Sequence, residues 1–264
     1  MDDIKGSPER FGYEWGKYCE ILPIYQEQFD RWTSPLINKS EWKEKKILDV
    51  GCGIGRNSYW PLTYGAHSAL CIDVDNRTLE CAKANLEKFN SVDIIKRSAY
   101  EIDESERFDI AFSIGVIHHL EDPKLALSNM VKAVKPGGKI LIWVYGYENN
   151  EWIVKFFNPM RKMLFSRLPI SFVHFLSAFP TCLLYIFIRL TKGKNEYMNL
   201  IRKFSFPHLR SIVFDQMLPK IANYYKEDEA KDLMKSVGLV DVETNWVNEM
   251  SWAVIGKKKI SNVD

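Results

Sequence analysis

The stretch Lys46–Arg56, KILDVGCGIGR, decides the fold of this chain. A short apolar run passes without a spacer into glycines at 51, 53 and 55. A strand feeding a glycine turn lets the backbone come close to a ligand and aims the N–H groups of the next helix at it, as a nucleotide-like molecule requires. The turn reads GxGxG rather than the GxGxxG of a dinucleotide loop, and no Gly-Lys-Ser or Gly-Lys-Thr follows, which excludes a P-loop. Glycine turns also occur for purely structural reasons, so the residues downstream carry weight.

His67–Asp73, HSALCID, reads as a second buried strand ending in an acid, 22 positions after Gly51. Asp73 then sits beside the glycine turn at the carboxyl ends of adjacent parallel strands, within reach of a ribose hydroxyl pair. Asp75 is the weaker candidate and is expected to cap a helix over 76–89.

Working outward, residues 10–40 are aromatic-rich and helical in tendency and are expected to cover the sheet edge or the ligand. An alternation follows: strand 46–50, helix 55–64, strand 68–73, helix 76–89, strands 92–96 and 108–113, helix 123–134, a turn at 136–138 and strand 139–145. The pattern resumes after an interruption with helix 227–236 and strands 240–246 and 250–256, a close pair that reads as an antiparallel hairpin closing one edge. This predicts a doubly wound α/β fold, a seven-stranded, mostly parallel Rossmann-like sheet with an antiparallel last strand. The expected division is a helical cover over 1–43, a core over 44–147 and 224–264, and a helical insertion over 148–223.

A chain of 264 residues suits one large α/β domain with an insertion. Its net charge of +2 conceals an asymmetry: from Glu148 to Arg210 there are ten Lys or Arg against three Glu. The five cysteines, at 19, 52, 71, 81 and 182, form no CxxC pair, so neither metal nor disulfide roles are expected and a reducing, cytoplasmic location fits. The first ten residues, MDDIKGSPER, are polar and acidic rather than a basic and apolar signal.

Leu168–Ile188 carries no Lys, Arg, Asp or Glu and is long enough to span a bilayer. Topology argues against a single span, because strands 240–246 and 250–256 must rejoin a sheet laid down before it. His174, Pro180 and Thr181 are expected to break the run into two short helices. These would form a lid or acceptor pocket, lie in a membrane interface with Arg161, Lys162, Arg167, Arg189 and Lys192 at the headgroups, or pack in a homodimer.

Taken together, ILDVGCGIGR, Asp73, FDIAFSIGVIHHLEDP (108–123) and VKPGGKILI (134–142) resemble the spaced motifs of the class I S-adenosylmethionine-dependent methyltransferases. The resemblance is firm over 44–145 and looser over 224–256. It implies transfer of a methyl group from S-adenosyl-L-methionine, with S-adenosyl-L-homocysteine as product. It also implies Gly51 and Gly53 against the methionine portion, Asp49 near its amino group and Asp73 on the ribose, with Cys52, Val74 and Ser113 in the same site. Many members carry an acid after the third strand for the adenine. Here the stretch is RSAY, so Ser98, the backbone at Ala99 or the ring of Tyr100 takes that place. A sulfonium is stabilised by carboxylates and aromatic faces; Tyr13, Trp15 and Tyr18 either supply the latter or pack as core.

For the acceptor, His118 and His119 end the fourth strand's loop, where one is placed to take a proton from a hydroxyl or amine. Tyr145, Tyr147 and Asn149 follow strand five, with Trp143 expected in the core. The segment 211–225, SIVFDQMLPKIANYY, resembles acceptor-pocket segments of small-molecule methyltransferases. There Asp215 would act as base, orient His208 or cap a turn, with Phe214, Tyr224 and Tyr225 around the acceptor. The run 145–162 resembles, more loosely, bacterial enzymes acting on glycan or lipid-linked acceptors. The expected acceptor is therefore an oxygen or nitrogen of a sugar, natural product or lipid-linked small molecule, with peripheral membrane contact through 168–188. RNA or protein methylation and non-catalytic S-adenosylmethionine binding are the alternatives. Nucleic acid is disfavoured because base-amine chemistry needs an NPPY-like or DPPY-like tetrapeptide where this chain has SIGV (113–116).

Overall fold

The computed structural model describes residues 8–191 and 196–260, so Lys192 and Lys194 of the basic insertion and the polar residues 1–7 lie outside the described residues. Along the chain run helices α1 (Pro8–Lys17) and α2 (Ile24–Thr33), then strand β1 (Lys46–Val50), α3 (Arg56–Thr63), β2 (Ser68–Asp73), α4 (Asn76–Leu86), β3 (Val92–Lys96) and β4 (Phe108–Ile114). There follow α5 (Pro123–Ala133), β5 (Val134–Tyr145), α6 (Asn158–Met163), α7 (Ile170–Leu190), α8 (Glu196–Ile201), α9 (Phe206–Met217), α10 (Glu227–Ser236), β6 (Leu239–Val247) and β7 (Ser251–Lys258).

The seven strands form one sheet in the order β3-β2-β1-β4-β5-β7-β6, with β7 antiparallel to both β5 and β6. This is the expected Rossmann-like sheet with its closing hairpin. Parallel strands covered on both faces read as continuous apolar runs, because alternate side chains enter two different cores. Leu48, Val50, Leu70 and Ile72 join one buried cluster, while Ile47, Ala69 and Cys71 join the other. Between β1 and β4 the strand order reverses, which opens a crevice at the carboxyl ends of the sheet.

Several boundaries differ from expectation. The stretch 136–138 is not a turn before a strand but a bulge within β5. Phe108 pairs with Val134 and Ile110 with Lys139, so Val134 already belongs to the ladder. Helix α4 stops at Leu86, and β7 runs on to Lys258.

The predicted break at His174, Pro180 and Thr181 is absent, and α7 is continuous over Ile170–Leu190 with Pro180 inside it. Its buried stripe of Val173, Ser177, Thr181 and Ile188 packs against α9. Thr181 and Ser177 turn their hydroxyls back to Ser177 O and His174 O, which satisfies both polar groups on that face. Strand β5 precedes α7 and β7 follows it, yet the two are hydrogen-bonded to each other. A single crossing by α7 would separate them.

A second correction concerns cysteine. Cys19 and Cys81 are disulfide-bonded, with Cα atoms 5.5 Å apart, while Cys52, Cys71 and Cys182 are free. The partners stand 62 residues apart in sequence, so no local spacing announces them; α1 packing on α4 brings them together. That close approach depends on Gly12, where a Cβ would lie 1.9 Å from Asp75 Oδ2.

Candidate active site

A cavity of about 760 Å³ opens at the strand-order reversal. Its walls come from the β1–α3 turn, the ends of β2 to β5, helices α1 and α9, and the insertion.

In the glycine turn, Gly51, Gly53 and Gly55 have φ of 78°, 53° and 79°, values that other residues adopt only at a cost. A Cβ at Gly51 would lie 2.4 Å from Val116 Cγ2, so only glycine admits the β4 loop. At Gly53 a Cβ would meet nothing within 4 Å, which leaves bare backbone facing the cavity.

Asp73, on the cavity wall, knits this region together. Its Oδ2 accepts from Gly53 N (2.9 Å), and its Oδ1 from Val74 N (2.7 Å) and Asp75 N (3.1 Å). Burial nonetheless raises its pKa. Asp75 caps α4 by accepting from Arg77 N, as expected.

Ser98 accepts from Tyr100 N, and the Tyr100 hydroxyl accepts from Glu121 N and Asp122 N (3.1 Å each), tying the loops after β3 and β4 together. Cys52, Val74, Ser98, Ala99, Tyr100 and Trp15 all line the cavity.

Other predicted donor-site residues do not. Asp49 lies beneath the turn, where Ser58 Oγ donates to its Oδ2 at 2.7 Å. Its Oδ1 has no partner, and burial pushes its pKa to about 7. Ser113 donates its hydroxyl to Val50 O inside the sheet. Tyr13 packs edge-on against Phe214 and His174 in the insertion's core.

The acceptor side is divided in the same way. His119, Asp215, Tyr145, His208 and Tyr224 reach the cavity; His118, Tyr147, Asn149, Phe214 and Tyr225 do not. His118 is wholly buried with neither ring nitrogen partnered, its ring 4.0 Å from that of Tyr145, and burial drives its pKa well down. Tyr147 N donates to Tyr225 O and Tyr225 N to Tyr145 O on either side of Gly146, Asn149 braces the β6–β7 turn through Glu249 O, and Phe214 is core. Asp215 does not pair with His208; it accepts from the Tyr145 hydroxyl at 3.0 Å, and Gln216 Nε2 donates to the same hydroxyl at 2.8 Å. His208 instead stacks on Phe204 at 3.8 Å, and burial lowers its pKa to about 3.

His119 Nδ1 lies 2.7 Å from Ile221 O, so this nitrogen carries the proton and Nε2 keeps its lone pair. Burial lowers its pKa to about 4, outweighing the carbonyl contact. An unfolded chain takes up this proton near pH ~6.5, so between that pH and about 4 the unfolded state binds more protons. The stability gained by keeping His119 neutral is therefore full above that window and is lost as pH falls through it. His119→Gln should flatten the acid side of the stability–pH curve by about one proton, as read by denaturant titration across the window. An unchanged slope would show that His119 titrates normally.

Glu14 and Arg56 are among the cavity residues that the sequence did not point to. Glu14 of α1 is fully buried and makes no hydrogen bond to a donor, and burial beside Asp215 raises its pKa well above the usual carboxyl range. Asp215 is raised too, by burial, while contact with Glu14 lowers it. Burial thus holds both carboxyls above the usual range, and the neighbouring Asp215 raises Glu14 further. Arg56, the first residue of α3, places its guanidinium 4.3 Å over the Trp15 ring, with Tyr25 and Trp32 at 5.2 and 5.7 Å. The available signal was an acid within the aromatic run FGYEWGKY and a base directly after the last glycine.

The arrangement fits S-adenosylmethionine. Bare backbone at Gly53, the buried Asp73 carboxylate and the unpartnered Asp49 oxygen beneath suit a nucleoside bearing a cation.

A methyltransferase-domain family model matches residues 48–142. The chain is 34% identical over 129 residues to a ubiquinone biosynthesis O-methyltransferase of Saccharophagus degradans, covering 48% of this chain and 54% of that protein. It is 28% identical over 124 residues to a tRNA U34 carboxymethyltransferase of Klebsiella pneumoniae, covering 46% and 37%. The chain thus spans well under two thirds of the length of these curated relatives. Among solved structures, an S-adenosylmethionine-dependent methyltransferase of Thermotoga maritima, described as a possible histamine N-methyltransferase, superposes with a TM-score of 0.57 at 16% identity over 96% of this chain and 99% of that one. Magnesium protoporphyrin IX methyltransferase of Synechocystis, solved with bound SAH, gives 0.56 at 12% identity over 95% and 94%. The methyltransferase-domain match thus covers residues 48–142, the stretch that builds the glycine turn and the crevice, and the whole chain shares the fold of these solved methyltransferases.

Proposed function

We propose that the protein transfers a methyl group from S-adenosylmethionine to an oxygen or nitrogen of a small molecule, a sugar, natural product or lipid-linked compound. The observation that carries this reading is one continuous cavity. It runs from the glycine turn and Asp73 to a buried polar cluster of Asp215, Tyr145 and Glu14. When bound, the cofactor supplies an electrophilic methyl on a sulfonium.

The chain's own residues supply alignment, dryness and a place for the proton. Asp215 is the base: its carboxylate lies in a low-dielectric cavity and can accept the hydroxyl or amine proton that the acceptor gives up. Tyr145 donates its hydroxyl to that carboxylate and, with Glu14 beside it, holds its position. Neutral His119, with Nε2 unprotonated, is a second acceptor of hydrogen bonds on the same wall. Trp152, Phe157, Met160 and Phe165 form an apolar end suited to a ring or an alkyl chain. In this reading the cover over 1–43 and the insertion over 148–223 close the acceptor pocket and exclude water.

Calorimetric titration with S-adenosylmethionine, followed by transfer of its labelled methyl to a small-molecule extract, tests the proposal. Saturable binding and a labelled, low-mass product resistant to RNase and protease are expected. Failure to bind at millimolar cofactor, or label found only in RNA or protein, would overturn it.

A further inference from the structure

Helix α7 is amphipathic in the inverse sense. The stripe that includes Ser177 and Thr181 packs inward on α9, while Phe172, Phe175, Phe179, Leu183, Phe187 and Leu190 face outward, 47–81% exposed. Their spacing of three and four residues makes one continuous outer stripe. The segment before α7 adds exposed Trp152, Phe156, Met163 and Leu164. A patch of this extent is far larger than the scattered apolar residues of an ordinary surface.

Charge identifies the occupant. Residues 152–191 contain no Asp or Glu, and Lys155, Lys162, Arg167 and Arg189 are all exposed around the apolar stripe. Lys155, Lys162 and Arg167 have no acidic partner among the described residues. A second copy docked through this face would set these cations against their own symmetry mates with no acid to offset them. An anionic lipid surface meets both features, taking the rings into its acyl boundary and the cations at its headgroups.

We propose that α7 and the segment before it lie flat on an anionic lipid surface. Spanning is ruled out by the β5–β7 ladder, which keeps both ends of the insertion on one side. The docked face borders the cavity: Pro180 and Leu184 of α7, with Trp152 and Met160, contribute to its wall. A molecule with an apolar tail would therefore pass between bilayer and cavity without crossing water. The docking itself does not depend on which reaction the cavity performs.

Flotation of the full chain with phosphatidylcholine vesicles and with phosphatidylcholine–phosphatidylglycerol vesicles provides the test. Co-flotation is expected with the anionic vesicles, weakened by high salt and far weaker with phosphatidylcholine alone. The double variant Lys162→Glu/Arg167→Glu should lose at least about twentyfold in anionic-vesicle partitioning, at about fivefold or more per charge. The variant Phe175→Gln/Phe179→Gln/Leu183→Gln should fail to float while keeping its circular dichroism spectrum, since these side chains are exposed. Failure of the unaltered chain to float with either vesicle would overturn the proposal. So would equal flotation of the glutamine variant, or a dimer in solution that the glutamine variant dissolves.

Discussion

Asp73→Asn should weaken S-adenosylmethionine binding by about 10- to 100-fold, the equivalent of roughly 1.5–3 kcal/mol for hydrogen bonds made to a charged group. The substitution is nearly isosteric, so the effect isolates charge and acceptor number. In the native site Asp73 accepts three backbone N–H groups, from Gly53, Val74 and Asp75, and still faces the cavity. An amide presents one oxygen and one NH2. Whichever way it turns, an N–H donor meets another donor, and the ribose loses an ionic acceptor. Calorimetric titration reads the loss directly. An unchanged affinity would remove Asp73 from the donor site and, with it, the reading of the glycine turn as a nucleoside cradle.

The second large effect concerns turnover. Asp215→Asn should lower kcat by about 10²- to 10⁴-fold, the usual contribution of a positioned general base, while cofactor affinity stays within about threefold of the native value. Glu14 separates this role from a structural one. Contact with Glu14 lowers the Asp215 pKa, so Glu14→Leu should push that pKa further up. The acidic limb of the pH–rate profile should then move to higher pH. Glu14→Gln offers a donor at the same place and should leave that limb nearer the native position. A kcat for Asp215→Asn equal to the native value would transfer the base role elsewhere on the wall, with His119 Nε2 next in line.

Much of the donor side was legible in the linear chain because its parts are local. Residues 51 to 55 build their own turn, Asp73 ends the adjacent strand, and the loop at 98–100 follows the next one. Each lies at the carboxyl end of a parallel strand, and the right-handed crossover rule brings such ends together without reference to the rest of the molecule. Asp49 and Ser113 do not line the cavity, because residue alternation along a strand decides which side chains reach a crevice and which are sealed under it.

On the acceptor side, half of the residues expected from the sequence lie on the cavity wall. Asp215, Tyr145, His119, His208 and Tyr224 are there, but Glu14 and Arg56 went unnoticed and Tyr147, Asn149, Phe214 and Tyr225 point elsewhere. Glu14 meets Asp215 only because α1 packs on α9, two helices about 200 residues apart in sequence. The Cys19–Cys81 bond has the same origin in α1 packing on α4. The continuity of α7 is a further case: Pro180 weakens that helix locally, and packing along Val173, Ser177 and Thr181 holds it together.

By itself, then, the chain of residues determined the mostly parallel sheet with its closing hairpin, the glycine turn and the acid beside it, since hydrophobic period and turn chemistry act over a few neighbours. Only the tertiary structure decided which carboxyls meet in the buried cavity, which aromatic rings surround Arg56 and which side of α7 is left outward. Those are properties of desolvation and contact between segments distant in sequence, and no window along the chain contains both partners.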